Sequence, residues 1–171
     1  MAILKIAKMG HPILLKKAQK VDDPTSPDIK RLVNDMLETL GDLGGNGVGL
    51  AAPQVHVSLQ IVIFETSSND GKETSLITLI NPKIDVLTEE NSVDWEGCLS
   101  VPGLRGKVIR PNKIRYSGLD INGKKIETIV EGFNARVVQH ECDHLFGILY
   151  PQRMKDLSSL QFVSEARHWI E

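Results

Sequence analysis

His140, Glu141 and His144 set out the chemistry this chain can do. They form a His-Glu-x-x-His pattern inside an apolar, helix-permissive run from Gly132 to Leu149. Residues four apart on a helix share a face, so both imidazoles can point at one site. Two neutral imidazoles at that spacing chelate a metal ion, and a glutamate beside them is the usual general base of a metal hydrolase. Two surface histidines can fall four apart by chance, but the setting argues otherwise. Phe133, Val137, His140 and His144 line one helical stripe, and Ala135, Val138, Cys142 and Leu145 form a second. A helix apolar on two sides is buried. Buried histidines need partners, and a metal supplies one to each.

A third donor is available upstream, in Trp95-Glu96-Gly97-Cys98-Leu99-Ser100-Val101-Pro102. Cys98 follows a glycine and precedes a strand-like leucine, in backbone that can bring its thiol close to another element. Cys98 with His140 and His144 makes an N₂S set that leaves one tetrahedral position open, the arrangement of catalytic rather than structural sites. Cys142 lies two residues from each histidine, roughly 200° round a regular helix from their shared face. It is expected to be a small core residue.

Elements must position these groups. A helix is expected from Pro27, with Ser26 as N-cap, Pro27 at the first helical position and Asp28 in the first turn. Ile29, Leu32, Val33, Met36, Leu37 and Leu40 give it an apolar face, and Gly41 and Gly44-Gly45 end it. Gly44 to Gln54 is glycine-rich and poor in helix or strand potential; it reads as a packed, shaped loop that lets a ligand approach the backbone. No Gly-Lys-Ser/Thr follows, so it is not a phosphate loop. Strands are expected over Leu59–Glu65, Leu76–Ile80 (closed by Asn81-Pro82), Ile84–Leu87, Gly106–Ile109, Lys113–Asp120 and Lys125–Val130. A polar loop covers Ser67–Lys72, and Asn122-Gly123 suits a type I′ hairpin. Lys155–Ile170 reads as a final amphipathic helix, with Leu157, Leu160, Val163 and Ile170 as a partial apolar face. Pro12 turns His11 away from helix, which makes His11 a surface or packing residue.

The whole chain, 171 residues, fits one domain, residues 1–171. Its 41% hydrophobic and 25% charged residues are those of a soluble globular protein. A net charge of −2 argues against a nucleic-acid partner. No stretch suits a bilayer span, and the first residues show no signal or transit pattern, so the protein is expected to stay in the compartment where it is made, the cytoplasm.

Three motifs stand in order: Gly47-Val48-Gly49-Leu50-Ala51-Ala52-Pro53-Gln54, Glu96-Gly97-Cys98-Leu99-Ser100, and Gln139-His140-Glu141-Cys142-Asp143-His144. Together they closely resemble the peptide deformylases, over nearly the whole chain. The resemblance implies an α+β fold, with antiparallel sheets around a central metal-binding helix and a helix toward each terminus. It implies removal of the formyl group, as formate, from the N-terminal formyl-methionine of newly made polypeptides. It implies Fe²⁺ as the native metal, with Zn²⁺, Ni²⁺ or Co²⁺ as substitutes. Its substrates would be N-formylmethionyl polypeptides, with the ribosome exit region as a candidate partner. Carried over by motif, Cys98, His140 and His144 are the metal ligands and Glu141 the acid/base. Gln54 and the Leu99 N–H would stabilise an oxyanion, and Gly49 would contact substrate backbone. Position 142, often methionine in the family, is cysteine here. From the residues themselves, Phe133, Val137 and Val48 would wall a pocket for an unbranched apolar side chain. Arg105 would meet substrate carbonyls or else sit in a surface ion pair.

Rival readings remain. A zincin-type endopeptidase would need Glu165 or His168 as third ligand. A metal-stabilised binding module would need a fourth protein ligand. A Cys98–His hydrolase would leave Glu141 and the second histidine unused.

Overall fold

The computed structural model describes residues 2–45, 47–67 and 73–168. Helix α1, Pro27–Asp42, starts as its sequence demands: Ser26 accepts the Ile29 N–H at 3.4 Å, with Pro27 in the first turn. It buries Ile29, Val33, Met36 and Leu40. Gly41 lies inside the helix, and Gly44 and Gly45 take up positive φ beyond it.

Eight strands follow: β1 (Gly49–Ala51), β2 (Ile61–Ser67), β3 (Thr74–Val86), β4 (Asn91–Cys98), β5 (Val101–Pro111), β6 (Lys113–Leu119), β7 (Lys125–Glu131) and β8 (Gln161–Phe162). They form two antiparallel sheets, ordered β1-β2-β3-β6-β7 and β4-β5-β8. Helix α2, Gly132–His144, packs on β1, β2, β6 and β7 of the first sheet and on β5 of the second. Strand β2 explains this sandwich. Its alternate side chains split between two cores: Val62 and Phe64 meet Ala135, Val138, Cys142 and Leu145, while Ile61 and Ile63 meet the apolar face of α1. Its first four residues, Ile61 to Phe64, are buried on both faces and are accordingly all apolar.

Several elements depart from the sequence reading. Gly49–Ala51 is a short strand rather than loop, because pairing with β2 supplies hydrogen bonds that glycine tolerates. The strands expected over Leu76–Ile80 and Ile84–Leu87 are one strand, β3. Asn81, at φ 53°, and Pro82 lie where its register with β6 shifts between Ile80 and Lys83, which accommodates a proline that cannot donate. Asn81 is held there by paired hydrogen bonds with the Val21 backbone, both 2.9 Å. Strand β5 is longer than Gly106–Ile109, and β4 was not expected as a strand. The 120–124 turn is closed by the Gly123 N–H on the Asp120 carbonyl, 3.0 Å. Gly123 alone there has positive φ, 74°, so the turn is not type I′, which needs two such residues. Helix α2 stops at His144, short of Leu149, and Gly147 turns the chain at φ 72°. The C-terminal segment is helical only in short 3₁₀ pieces, Leu157–Ser159 and Val163–His168, flanking β8; it is not one amphipathic helix. Ile170, placed on its apolar face, and most of the polar loop, 68–72, lie outside the described residues. His11 is exposed; it caps Pro12–Leu15 by accepting the Ile13 N–H at 3.2 Å and meets His56 edge-on.

Candidate metal centre

Helix α2 presents His140 and His144 on one face, their rings 5.1 Å apart and nearly perpendicular. Cys98 reaches them from the end of β4. A register shift between Gly97 and Cys98, and the turn through Leu99 and Ser100 into β5, swing its thiol toward the helix. One donor atom from each of Cys98, His140 and His144 lies within 4.8 Å of the others. The Cys98 Sγ to His144 Nε2 distance is 3.4 Å. A tetrahedral ion with its usual bond lengths would hold a sulfur and an imidazole nitrogen about 3.5 Å apart, so the donors are spaced for one.

Glu96 orients the first histidine. Its Oε2 lies 2.8 Å from His140 Nδ1, which leaves Nε2 to face the thiol. The same carboxylate accepts two hydrogen bonds from Arg110, at 2.8 and 2.9 Å, and one from Arg136 at 2.8 Å. Arg110 also donates to Asp143 at 2.6 Å, and Asp143 accepts from Arg153 at 2.6 Å. Glu96, Arg110, Arg136 and Asp143 are all buried. Burial alone would raise Glu96, but hydrogen bonds from Arg110 and His140 outweigh it and hold its carboxyl well below the usual range. Burial likewise pulls His140 down, and the Cys98 and Glu96 contacts together lift it to about 10. His144, buried and beside His140, falls well below its ordinary value. The two imidazoles are thus pushed in opposite directions, and a metal held by both would compete with a proton at His140 but not at His144.

Glu141 lies about 100° round the helix from His140. It is buried, its Oε2 has no hydrogen-bond partner, and burial raises it to about 7. Its carboxylate occupies the space beside Gly49: a Cβ there would sit 2.5 Å from Oε1. Gly49 therefore leaves room for Glu141, a role the sequence reading did not assign. Gln54 is buried and fixed in plane. Its Oε1 accepts the Ala51 N–H at 2.8 Å, and its Nε2 donates to Ser100 Oγ at 3.1 Å and lies 3.5 Å from Cys98 Sγ. Burial raises the Cys142 thiol, which sits in the core away from the donor cluster.

A cavity of about 510 Å³ opens over these groups. Val48, Gly49, Gln54, Cys98, Leu99, Phe133, Val137, His140 and Glu141 line it, so nearly every residue singled out in the sequence meets there. Arg105 is not on the wall; its guanidinium lies over the Trp95 ring, 4.2 Å from the centroid. Glu165 and His168, needed by a zincin, are exposed and 3.6 Å from each other in the C-terminal segment. No fourth His, Cys, Asp or Glu joins the donor cluster among the described residues, which counts against a closed structural site.

The sequence reading gave no role to Ser100, Glu96, Arg110, Arg136 or Asp143. Glu96 and Asp143 sit inside the motifs, which is where the sequence marks them. Arg110 and Arg136 had only their neighbours to mark them, since Val108 and Ala135 flank them on buried faces.

An α+β scaffold carrying a cysteine sulfur, two imidazoles and a buried carboxyl group over one open cavity defines a metal-dependent hydrolase. The sequence model of one family, described as polypeptide deformylase, matches residues 3–159. A peptide deformylase 1 of Nitrosomonas europaea is 50% identical over 159 residues, 91% of this chain and 89% of that protein. One from Bordetella pertussis is 50% identical over 161 residues, 92% of this chain and 90% of that one. Among solved structures, an actinonin-bound class I type b peptide deformylase from Acinetobacter baumannii superposes with TM-score 0.79 at 37% identity. It covers 91% of this chain and 100% of its own. The chain belongs to the polypeptide deformylase family. Its activity is the family's metal-dependent removal of N-formyl groups from newly made polypeptides.

Proposed function

We propose that Cys98, His140 and His144 hold a divalent metal, Fe²⁺ in the native enzyme, and that Glu141, Gln54 and Leu99 serve the hydrolysis of N-terminal formyl-methionine. The observation that carries this reading is the convergence of three metal-binding donors and one buried, unpartnered carboxylate beneath a single cavity. One thiolate and two imidazoles suit Fe²⁺, Co²⁺, Ni²⁺ and Zn²⁺ alike, so availability selects among them. When bound, such an ion supplies Lewis acidity that makes water more acidic and polarises a carbonyl.

The chain's own residues do the rest. Glu141, raised to about 7, takes a proton from water and returns it to the leaving amine near neutral pH. Gln54 is held at Oε1 by Ala51, and one amide N–H is spent on Ser100. Its other N–H, only weakly engaged with the Cys98 sulfur at 3.5 Å, is the one to turn to a developing oxyanion. The Leu99 N–H, in the turn after Cys98, is its companion. Val48, Phe133 and Val137 receive the methionine side chain, Gly49 lies against the substrate backbone, and Arg105 meets the substrate further out. The enzyme acts as one catalytic domain, residues 1–171. It works in the bacterial cytoplasm, near the ribosome exit region where formylated chains emerge. No helix among the described residues is long and apolar enough to cross a membrane.

The test is formate release from formyl-Met-Ala-Ser by anaerobically purified, Fe²⁺-loaded protein, with metal content measured in parallel. Cys98→Ala and His144→Ala should each lose both metal and activity. A full metal equivalent retained by either variant would overturn the ligand set.

A further inference from the structure

The amide of Gln54 is braced by a part of the chain that the reaction does not touch. Residues 4–9 cross the molecule outside any helix or strand. The Leu4 N–H donates to Thr39 Oγ1 on α1 at 2.9 Å, and Leu4 and Ile6 pack against the core that holds the apolar face of that helix. The Ala7 N–H then donates to the Gln54 carbonyl and the Met9 N–H to the Ser100 carbonyl, each at 2.7 Å. Alternate residues of an extended chain direct their N–H groups to one side, about 6.6 Å apart, so a single edge of this segment grips both carbonyls.

Gln54 and Ser100 are 46 residues apart and belong to different elements, the 3₁₀ turn Ala52–Val55 and the turn between β4 and β5. Both are buried, and their side chains meet, Gln54 Nε2 donating to Ser100 Oγ at 3.1 Å. The Ser100 N–H in turn points at Cys98 Sγ, 3.4 Å away. Residues 7–9, Gln54 and Ser100 therefore close a ring of hydrogen bonds beside the donor cluster. An amide held only at Oε1 by the Ala51 N–H could swing about that contact. The second anchor, on Ser100, fixes its plane and so the direction of its other N–H.

The segment acts through its backbone. Lys8 and Met9 are exposed, so neither side chain fills core space. Met9 and Gly10 are the central residues of a turn closed by the His11 N–H on the Lys8 carbonyl at 2.9 Å, and Gly10 takes φ 100°. Positive φ at the second central position marks a type II turn, whose first central position favours proline. The turn itself has no use for an N–H at Met9; that N–H serves Ser100.

We propose that Ala7–Met9 is a positioning strap for Gln54, holding the Gln54 and Ser100 carbonyls at a set spacing so that the second N–H of the amide is aimed at the oxyanion. This rests on the oxyanion role given to Gln54 above. Met9 and Ser100 are positioning residues, and neither is on the cavity wall. Donors fixed before the reaction need no reorganisation as charge develops, which is what the strap secures.

The experiment measures kcat, KM, metal content and Tm of the metal-loaded enzyme for Met9→Ala and Met9→Pro, each with and without Gln54→Ala, on formyl-Met-Ala-Ser. Met9→Ala keeps the N–H and should match the wild type within about twofold. Met9→Pro suits the turn but puts a ring carbon where the hydrogen was, so only the bond to Ser100 is lost. Its kcat should fall about three- to tenfold, the worth of one hydrogen bond and less than the roughly 100-fold lost with an oxyanion donor itself. KM and metal content should not change. Added to Gln54→Ala, the same substitution should alter kcat by less than about twofold, because the group it positions is gone. Ser100→Ala removes the acceptor of the amide and should reproduce this pattern; it decides the question alone if Met9→Pro does not fold. Near-normal kcat in Met9→Pro overturns the strap. So does a loss undiminished without Gln54, or one carried in KM or metal content, since a merely structural contact would act that way. If Gln54→Ala by itself leaves kcat intact, the oxyanion role fails first, and the strap with it.

Discussion

Substituting Gly49 by alanine tests whether this glycine is there for the sake of Glu141. The added Cβ would lie 2.5, 2.6 and 2.7 Å from Oε1, Cδ and Cγ of Glu141. Carbon contacts settle at about 3.5–4.0 Å, so the overlap is about 1 Å and involves the whole end of the side chain. Gly49 does not have positive φ, so its backbone accepts alanine without strain of its own. Its strand partner is the fully buried Phe64, which leaves the sheet little room to yield. The carboxylate must therefore move by about 1 Å, a misplacement that can cost about 100-fold in turnover. Overpacking at a buried site also costs about 1–3 kcal/mol of stability. The assay is kcat, KM and metal content for Gly49→Ala, Glu141→Ala and the double variant, with Tm for each. Gly49→Ala should keep its metal and lose kcat, with KM nearly unchanged. The double variant should match Glu141→Ala within about twofold, because the clash and the displaced group vanish together. Near-normal kcat in Gly49→Ala refutes the steric argument. An equal loss in both backgrounds, carried in KM, assigns Gly49 to the substrate instead.

Three further outcomes follow from the charges around the site. Glu96→Gln should weaken metal binding about 10- to 100-fold, since His140 loses the carboxylate that orients it, and a competition titration against a chelator measures this. It should also destabilise the protein by about 3–5 kcal/mol by leaving Arg110 and Arg136 buried beside a neutral amide; unchanged denaturant midpoints would show that Asp143 and backbone carbonyls suffice for them. In the metal-free protein, Glu141 is raised from 4.5 to about 7, so the stability it contributes is present below pH 4.5 and lost as pH rises through about 7. Glu141→Gln should thus gain on the wild type by up to about 3 kcal/mol between pH 4.5 and 8, read from urea unfolding; a flat difference would mean the carboxylate is solvated.

What could be read from residue pattern was whatever is apolar or locally capped. The α1 start, the buried run of β2 and the two stripes of α2 each follow from spacing, because a core demands apolar residues at fixed periods. The candidate metal donors were legible for a related reason: chelation demands particular residue types at helical spacing. Strand β4 was not legible, because its inward residue beside the site, Glu96, is charged and its outward residues are mixed. The C-terminal segment misled in the opposite direction. Leu157, Leu160 and Val163 fall near helical spacing, yet Gln161 and Phe162 pair with Arg105 and Leu104 of β5, and that tertiary contact overrides the local period.

The charges around His140 were hidden for a physical reason that also bears on why they exist. Sequence patterns equate charge with surface, since burying an ion costs several kcal/mol unless it is paired and hydrogen-bonded. Here Glu96 meets that condition with Arg110, Arg136 and His140 at 2.8–2.9 Å. Such networks are often no more stabilising than an apolar core of the same volume, so stability alone does not account for this one. Its members come from β4, β5 and α2, and Cys98 lies two residues beyond Glu96 on the same strand. One carboxylate therefore ties the strand bearing the thiol to the helix bearing both imidazoles. The geometry of the donors depends on that tie more than on either element's own packing.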